Sequence, residues 1–286
     1  MSERGMEGRV CVITGATAGL GQAAAMELAR RGATIVLVAR SPERAERTRA
    51  EVARAAGHGR VNVVLGDLSV QAQVRAAAAQ VAEHWPAIHV LINNAAVYTR
   101  TRQETADGIE MQLAVNHLAP FLLTNLLLDR LRAGAPARVV TLSSGAHRYA
   151  DFRWDDLGMR RGYNGLRQYS NTKLFNALFT RELARRVPAA QVTANALHPG
   201  VVGTALLFGG WAPLRLLKPF IRTPEQGART TVYLASSPEV AGMTGGYYRD
   251  ERPARVSPAA LDDAAARRLW EISEQMTGLA GEGVNG

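Results

Sequence analysis

Short apolar runs alternate with stretches of helical spacing along most of the chain, and this rhythm limits the possible folds more than any other feature. Val10-Cys11-Val12-Ile13 is the first run, rich in β-formers and ending at Thr14-Gly15. Helical patterning follows from Leu20 to about Arg31, where Gly32 stops it. Thr34 to Val38 is the second run. Ser41-Pro42-Glu43 then reads as an N-cap, a proline at the first helical position and an acidic first turn. The pattern predicts further strands at 61–65, 88–92, 138–142 and 191–197, with helices over roughly 69–85, 105–132 and 169–187 between them. A helix after Pro224, a last strand at Tyr247-Tyr248 and a helix over about 261–276 complete the reading, and 278–286 is expected to fray. Continuous apolar runs joined through helices mean parallel strands buried on both faces. The expected fold is therefore α/β, a single doubly wound (Rossmann) parallel sheet with helices on both faces, one domain over 1–286.

Composition agrees with a globular protein and narrows its chemistry. The chain has 286 residues, 47% hydrophobic and 21% charged, with a formal net charge of +9. Its basic residues are scattered over helices, as in Arg44, Arg47, Arg49 and Arg54, which predicts solvated faces and no nucleic-acid partner. Cys11 is the one cysteine, so neither an intrachain disulfide nor a cysteine zinc cluster is possible. No His/Asp/Glu grouping has metal-ligand spacing, and no metal is expected. No apolar run is long enough to span a bilayer and no signal-peptide pattern opens the chain, so the expectation is a cytoplasmic protein without stable membrane insertion.

The first predicted strand runs into Thr14-Gly15-Ala16-Thr17-Ala18-Gly19-Leu20-Gly21 and then a helix. Glycines at this spacing let the backbone turn tightly and approach a pyrophosphate, and the helix presents unpaired N–H groups to it. Strand, turn and helix together predict a dinucleotide site. The end of the second strand should select the cofactor. An acidic residue there would bond a ribose 2′-hydroxyl. This chain has Arg40-Ser41, which suits a 2′-phosphate, so NADP(H) is expected over NAD(H). Asp67-Leu68 either meets the adenine or caps the next helix, a task Ser69 could equally perform. Asn93-Asn94-Ala95-Ala96 ends the fourth strand, where small residues admit the adenosine ribose or simply form a turn.

Tyr169-Ser170-Asn171-Thr172-Lys173 places a phenol and an ammonium four residues apart on one helix face. A phenol titrates near pH 10, and a neighbouring ammonium is expected to lower that value towards the range of general acid–base catalysis.

Together these residues resemble the short-chain dehydrogenase/reductase family over about residues 8 to 250. That family carries a Thr-Gly-x-x-x-Gly-x-Gly turn, an Asn-Asn-Ala-Gly after the fourth strand, and a catalytic Asn, Ser, Tyr and Lys. The likeness is closer to its retinol dehydrogenase-like and WW-domain oxidoreductase-like branch. It rests on Ser143-Ser144-Gly145-Ala146-His147, Tyr169 to Leu174, Phe179 to Ala184, Leu197-His198-Pro199-Gly200-Val201-Val202 and Val256-Ser257-Pro258. The resemblance implies Tyr169 as acid–base group, Lys173 as the residue that lowers its pKa and bonds the nicotinamide ribose, and Ser144, ahead of Ser143, as the hydrogen-bond donor to the substrate oxygen. It implies that Asn116 holds a water joining Lys173 to solvent. Pro199, Gly200 and Val202 match the loop at the nicotinamide end, with Thr204 bonding the carboxamide. Ala96 departs from the family's usual glycine, and Ala16-Thr17-Ala18 offers no basic side chain to the phosphates.

The expected reaction is hydride transfer between NADP(H) and a lipophilic alcohol, aldehyde or ketone. A tailoring ketoreductase is a variant of the same class. The segment 204–222, with Leu206, Phe208, Trp211 and Phe220 among its apolar residues, is expected to cover the substrate, or else to pack on a partner subunit or a membrane surface. Trp154, Tyr163 and His147 either line the same pocket or are ordinary packing. A homo-oligomer is possible. The competing readings are a catalytically silent NADP(H)-sensing regulator and an interaction protein on the same fold.

Overall fold

The computed structural model describes residues 5–202 and 222–281. Its strands are β1 (Val10–Thr14), β2 (Thr34–Ala39), β3 (Val61–Leu65), β4 (Val90–Asn93), β5 (Ala137–Leu142), β6 (Val192–Leu197), β7 (Tyr247–Arg249) and β8 (Arg252–Pro253). They form one sheet in the order β3-β2-β1-β4-β5-β6-β7-β8, parallel except for the last pair. The strand order reverses between β1 and β4, which opens a crevice at their carboxyl ends.

Helices cover both faces because successive strand residues point to opposite sides. Cys11 and Ile13 face a core shared with α1 (Gly19–Arg30), α2 (Pro42–Ala56) and, later in the chain, the helix Pro224–Ser236. Val12, between them, faces a second core built on α3 (Gln71–His84), Phe121 and Phe179. Strands of this kind are buried throughout, as Cys11, Val12 and Ile13 are, which is why they read as unbroken apolar runs.

The predicted helix over 105–132 is where structure and expectation differ most. It begins only at α4 (Met111–Leu113), because Gly108 turns the chain at φ +71° and Glu110 supplies the N-cap. It then widens into a π turn over Ala114–Leu118 before α5 (Ala119–Leu126) and α6 (Leu128–Ala133). Pro120 explains the widening. It has no N–H to give to the carbonyl of Asn116, four residues earlier, so the regular ladder fails at that point. α7 (Gly165–Arg186) starts one turn earlier than its apolar spacing suggests, because Asn164 caps it by accepting from Arg167 N at 3.0 Å. Tyr169 thus lies in the second turn rather than at the opening. α8 (Pro224–Ser236) carries a full capping box from Thr223 and Gln226. α9 (Asp263–Thr277) ends at Gly278, φ +75°, and a short 3₁₀ turn over Leu279–Gly281 follows, with Leu279 against the second core. The expectations for 204–221 and 282–286 fall outside the described residues, except that 222 is described. No helix among the described residues is long and apolar enough to cross a membrane.

Candidate active site

The end of β1 and the end of β4 are stitched together at the crevice. Thr14 Oγ1 accepts from the N–H groups of Asn94 (3.0 Å) and Ala95 (3.1 Å). Asn94 Nδ2 donates to the carbonyls of Thr14 (2.8 Å) and Gly15 (3.0 Å). The Asn94 side chain is therefore committed to holding the glycine turn. Gly21 is required by this close approach. A Cβ there would lie 2.4 Å from Asn94 Nδ2 and 2.7 Å from the Gly15 carbonyl. Gly21→Ala is expected to cost about 1–3 kcal/mol of stability by overpacking. By shifting the turn it should also weaken dinucleotide binding about tenfold, the effect of about 1.4 kcal/mol lost from binding. The thermal midpoint and a nucleotide fluorescence titration check this; a variant that binds as tightly as the parent contradicts it.

A groove of ≈ 720 Å³ opens from this turn. Gly15, Thr17, Ala18, Gly19, Leu20 and Gly21 line one end; Arg40, Ser41, Asp67 and Leu68 line one wall, and Asn94 and Ala95 the floor. The N-terminus of α1 meets the groove at Ala18, with no side-chain cap and no acidic residue in the first turn. Its N–H groups and the positive end of its dipole are left for an anion. Arg40 is 74% exposed and lies 3.7 Å from an Asp67 oxygen, a pairing worth about 0–1 kcal/mol in water. The other Asp67 oxygen accepts from the Ser69 N–H (2.9 Å) and hydroxyl (2.7 Å). Asp67 thus closes a tight turn but does not cap α3. That role falls to Asp107, whose carboxylate accepts from Gln71 N at 2.8 Å. Ser41 caps α2 through Arg44 N at 3.4 Å, which brings Arg44 into the groove wall. Arg44 is among the arginines expected on a solvated helix face; its place three residues after an N-cap is the signal for its position at the groove. Tyr98, Met111, Val115 and Pro224 also line the groove and were missed.

Tyr98 leads from the groove to the phenol of Tyr169, meeting it edge-on with ring centroids 6.3 Å apart. Ser144 is the polar side chain that acts on the Tyr169 hydroxyl. Ser144 Oγ accepts from Ala146 N at 3.2 Å, so its own hydrogen remains available to donate. Ser143 is used differently, donating to the Lys173 carbonyl at 2.7 Å. The electrostatics correct one expectation. Tyr169 is not lowered. Burial pushes its hydroxyl up to about 12, with Ser144 opposing and Tyr247 adding to the rise. Tyr169 keeps partial solvent exposure, so the density of its surroundings and not complete enclosure drives that shift. Lys173, 2% exposed, is pulled down by burial to about 8. Its Nζ donates to the Leu142 carbonyl at 3.1 Å and lies 5.4 Å from the centre of the Tyr169 ring. One helical turn brings the amine against the ring, and the shared enclosure favours the neutral form of each group.

Asn116 is fully buried, and its carboxamide is fully engaged. Oδ1 accepts from Val97 N (2.7 Å), while Nδ2 donates to the Val97 carbonyl (3.0 Å) and to Thr172 Oγ1 (3.2 Å). His147 is buried and bonded at both nitrogens. Nδ1 lies 2.6 Å from the Ser144 carbonyl, and Nε2 accepts from Ser257 N at 3.1 Å, which assigns the neutral Nδ1–H tautomer. It ties the Ser144 loop to Val256-Ser257-Pro258. Trp154 packs on Phe152, with the Arg268 guanidinium 4.6 Å from a ring centre, and Tyr163 bonds Thr99, Gln112 and Glu110. All three side chains are engaged in hydrogen bonds or packing within the fold. Pro199 and Gly200 (φ +85°) follow β6, with the Arg222 guanidinium against Gly200 and its Nη1 donating to Asp250 at 2.5 Å. Val202 bridges to Arg222 and packs towards Gly227. Thr204 lies outside the described residues. A larger depression of ≈ 1110 Å³ lies between α1 and α8, where Arg31 pairs with Glu27 and Arg229 with Glu251.

The model of the short chain dehydrogenase family matches residues 9–209, and the chain belongs to that family. It is thus an oxidoreductase acting on CH–OH groups, in a family that uses nicotinamide cofactors. Among curated relatives it is 44% identical to human (Homo sapiens) retinol dehydrogenase 14 over 295 residues, covering 96% of this chain and 88% of that one. A crystal structure of a putative uncharacterized protein from Mycobacterium Paratuberculosis is similar at 36% identity and TM-score 0.78, covering 95% of this chain and 94% of the other. L-sorbose reductase from Gluconobacter frateurii, solved with NADPH and L-sorbose, shares the fold at 23% identity and TM-score 0.70, with 86% of this chain and 96% of that one covered.

Proposed function

We propose that the protein is an NADP(H)-dependent oxidoreductase that interconverts a lipophilic alcohol with its aldehyde or ketone, with Tyr169 as acid–base group. The observation that carries this reading is the Tyr169 ring, with the Lys173 amine 5.4 Å from its centre, set one aromatic contact away from the groove of the glycine turn. A dinucleotide fits that groove, whose volume lies in the range of cofactor sites and whose end offers the uncapped first turn of α1. When bound, the nicotinamide supplies the hydride chemistry. The protein's own groups orient and protonate. In the reductive direction Tyr169 gives its proton to the substrate oxygen, and Ser144 donates a second hydrogen bond to it. Lys173 bonds the ribose of the nicotinamide end and carries charge into a dry site. Asn116 supports the water that resupplies the proton. With its carboxamide engaged, its backbone carbonyl, which Pro120 cannot reach with an N–H, is the acceptor for that water. Pro199, Gly200 and Val202 belong to the loop that would meet the nicotinamide end, and Thr204, outside the described residues, is the residue that the family resemblance assigns to its carboxamide. A retinol dehydrogenase among the relatives and the apolar residues of 204–222 support a lipophilic substrate.

Purified protein with decanal should consume NADPH well ahead of NADH; consumption of neither, across a panel of aldehydes and ketones, contradicts the reading. Arg40 and Arg44 favour the 2′-phosphate. Arg40→Asp should lower the ratio of kcat/KM for NADPH to that for NADH about 10- to 100-fold, the worth of a charge-assisted hydrogen bond. An unchanged ratio rules out Arg40 as the selector.

A further inference from the structure

Glu110 is 1% exposed, and a carboxylate in such a place persists only if donors meet it. Four neutral donors do. Oε1 accepts from Gln112 N (3.0 Å) and the Tyr163 hydroxyl (3.1 Å). Oε2 accepts from Leu113 N (2.8 Å) and Gln168 Nε2 (2.8 Å). The backbone donors belong to the first turn of α4. The side-chain donors are Tyr163, just before α7, and Gln168, in its first turn and immediately before Tyr169. Gln112 doubles the tie, donating to the Tyr163 hydroxyl (2.9 Å) and to the Gly165 carbonyl (3.1 Å) at the start of α7. Farther along, the same two helical segments meet again through Asn116 and Thr172, the residue before Lys173.

We propose that Glu110 is a positioning residue, which fixes the start of the Asn116 helix against the start of the Tyr169 helix and so sets the alignment of the proton-handling groups. This rests on the reading of Tyr169 as the acid–base group. Apolar packing between the helices tolerates small slides. Hydrogen bonds to a charged acceptor are short and directional, so they hold the two helix starts more tightly. Glu110→Gln keeps the shape and removes this grip. Its NH₂ must face Gln112 N–H or Leu113 N–H, and a backbone donor at a helix start cannot turn away.

The test compares Glu110→Gln with the parent, using NADPH with decanal as probe substrate. It also uses ¹³Cζ-tyrosine NMR of the NADP⁺ complex, in which Tyr169 is assigned by its loss in Tyr169→Phe. The expected result is a fall in kcat of about 10- to 100-fold, the scale of a small misplacement of reacting groups. NADPH affinity should be unchanged and the Tyr169 titration displaced. Gln168→Met leaves the α4 cap and the Tyr163 bond in place and removes the one donor to Glu110 that lies within α7; it should lower kcat and displace the Tyr169 titration in the same direction, and it keeps the test decisive if Glu110→Gln folds poorly. Glu46→Gln, on exposed α2 beside Arg49, controls for the exchange itself and should leave every readout unchanged. Parent-like kcat and Tyr169 titration in Glu110→Gln or Gln168→Met overturn the inference. The NMR readout needs no turnover. An inactive Tyr169→Phe beside a normal Glu110→Gln ends the Glu110 inference alone, whereas an active Tyr169→Phe ends the reading beneath it.

Discussion

Tyr169→Phe is expected to lower kcat by about 10²- to 10⁴-fold, the usual worth of a positioned acid–base group. NADPH binding should survive. The substitution removes one oxygen and leaves the ring, so the edge contact with Tyr98 and the Lys173 amine beside the ring are retained. Ser144 still accepts from Ala146 N. The fold should therefore tolerate the change, and the loss should appear in kcat rather than in KM or the thermal midpoint. Steady-state kinetics with decanal and an NADPH titration separate the two. Near-normal turnover in the variant would end the assignment of Tyr169.

Lys173→Met is expected to damage function and improve stability together. The buried amine is pulled from 10.5 to about 8 by loss of hydration. At 1.36 kcal/mol per pKa unit, keeping it charged in the folded state costs roughly 3 kcal/mol. Because the folded value is depressed, the contribution of Lys173 to stability is full above 10.5 and is lost as pH falls through about 8. Methionine avoids that penalty. It also gives up the bond to the Leu142 carbonyl, worth about 1 kcal/mol, but Asn176 Nδ2 still donates to that oxygen at 3.1 Å and prevents an orphaned acceptor. The variant should therefore be more stable by about 1–3 kcal/mol at neutral pH, with the gain fading as pH rises towards 10.5. Tyr169, raised by burial, runs the other way and loses its contribution above pH 10, so the variant-minus-parent difference is the quantity to read. Denaturant unfolding at several pH values measures it. A variant less stable than the parent at neutral pH contradicts the account. Turnover should fall on the order of 10²-fold or more, as the charge that orients the site is lost.

Much of the sheet was legible because buried parallel strands have no polar face to disguise them. Val10 to Ile13 and Thr34 to Val38 fell where β1 and β2 lie, and Ser41-Pro42 marked the start of α2. The short β8 was not legible, since Arg252 and Pro253 are exposed and carry no apolar signal. Non-local partners hid other features. Asp107 caps α3 from 36 residues away, and Glu110 bonds Gln168 across 58, neither separation leaving a spacing pattern. The π turn had a local sign, Pro120 four residues after Asn116, but apolar periodicity alone ran through it. At the candidate site, spacing placed Tyr169 and Lys173 on one helix face correctly. It said nothing about how far each loses its hydration, and that loss raises Tyr169 and lowers Lys173. The same limit applied to His147, a residue with catalytic chemistry whose two nitrogens are taken up by Ser144 and Ser257.

The solvent isotope effect on a single turnover of decanal with NADPH tests the central claim most directly, because it follows the proton that Tyr169 is said to deliver. The account predicts that the parent reacts more slowly in D₂O than in H₂O, and that the small residual reaction of Tyr169→Phe loses this dependence on the tyrosine's exchangeable proton. A Tyr169→Phe variant that reacts as fast as the parent, with the same isotope effect, would contradict it.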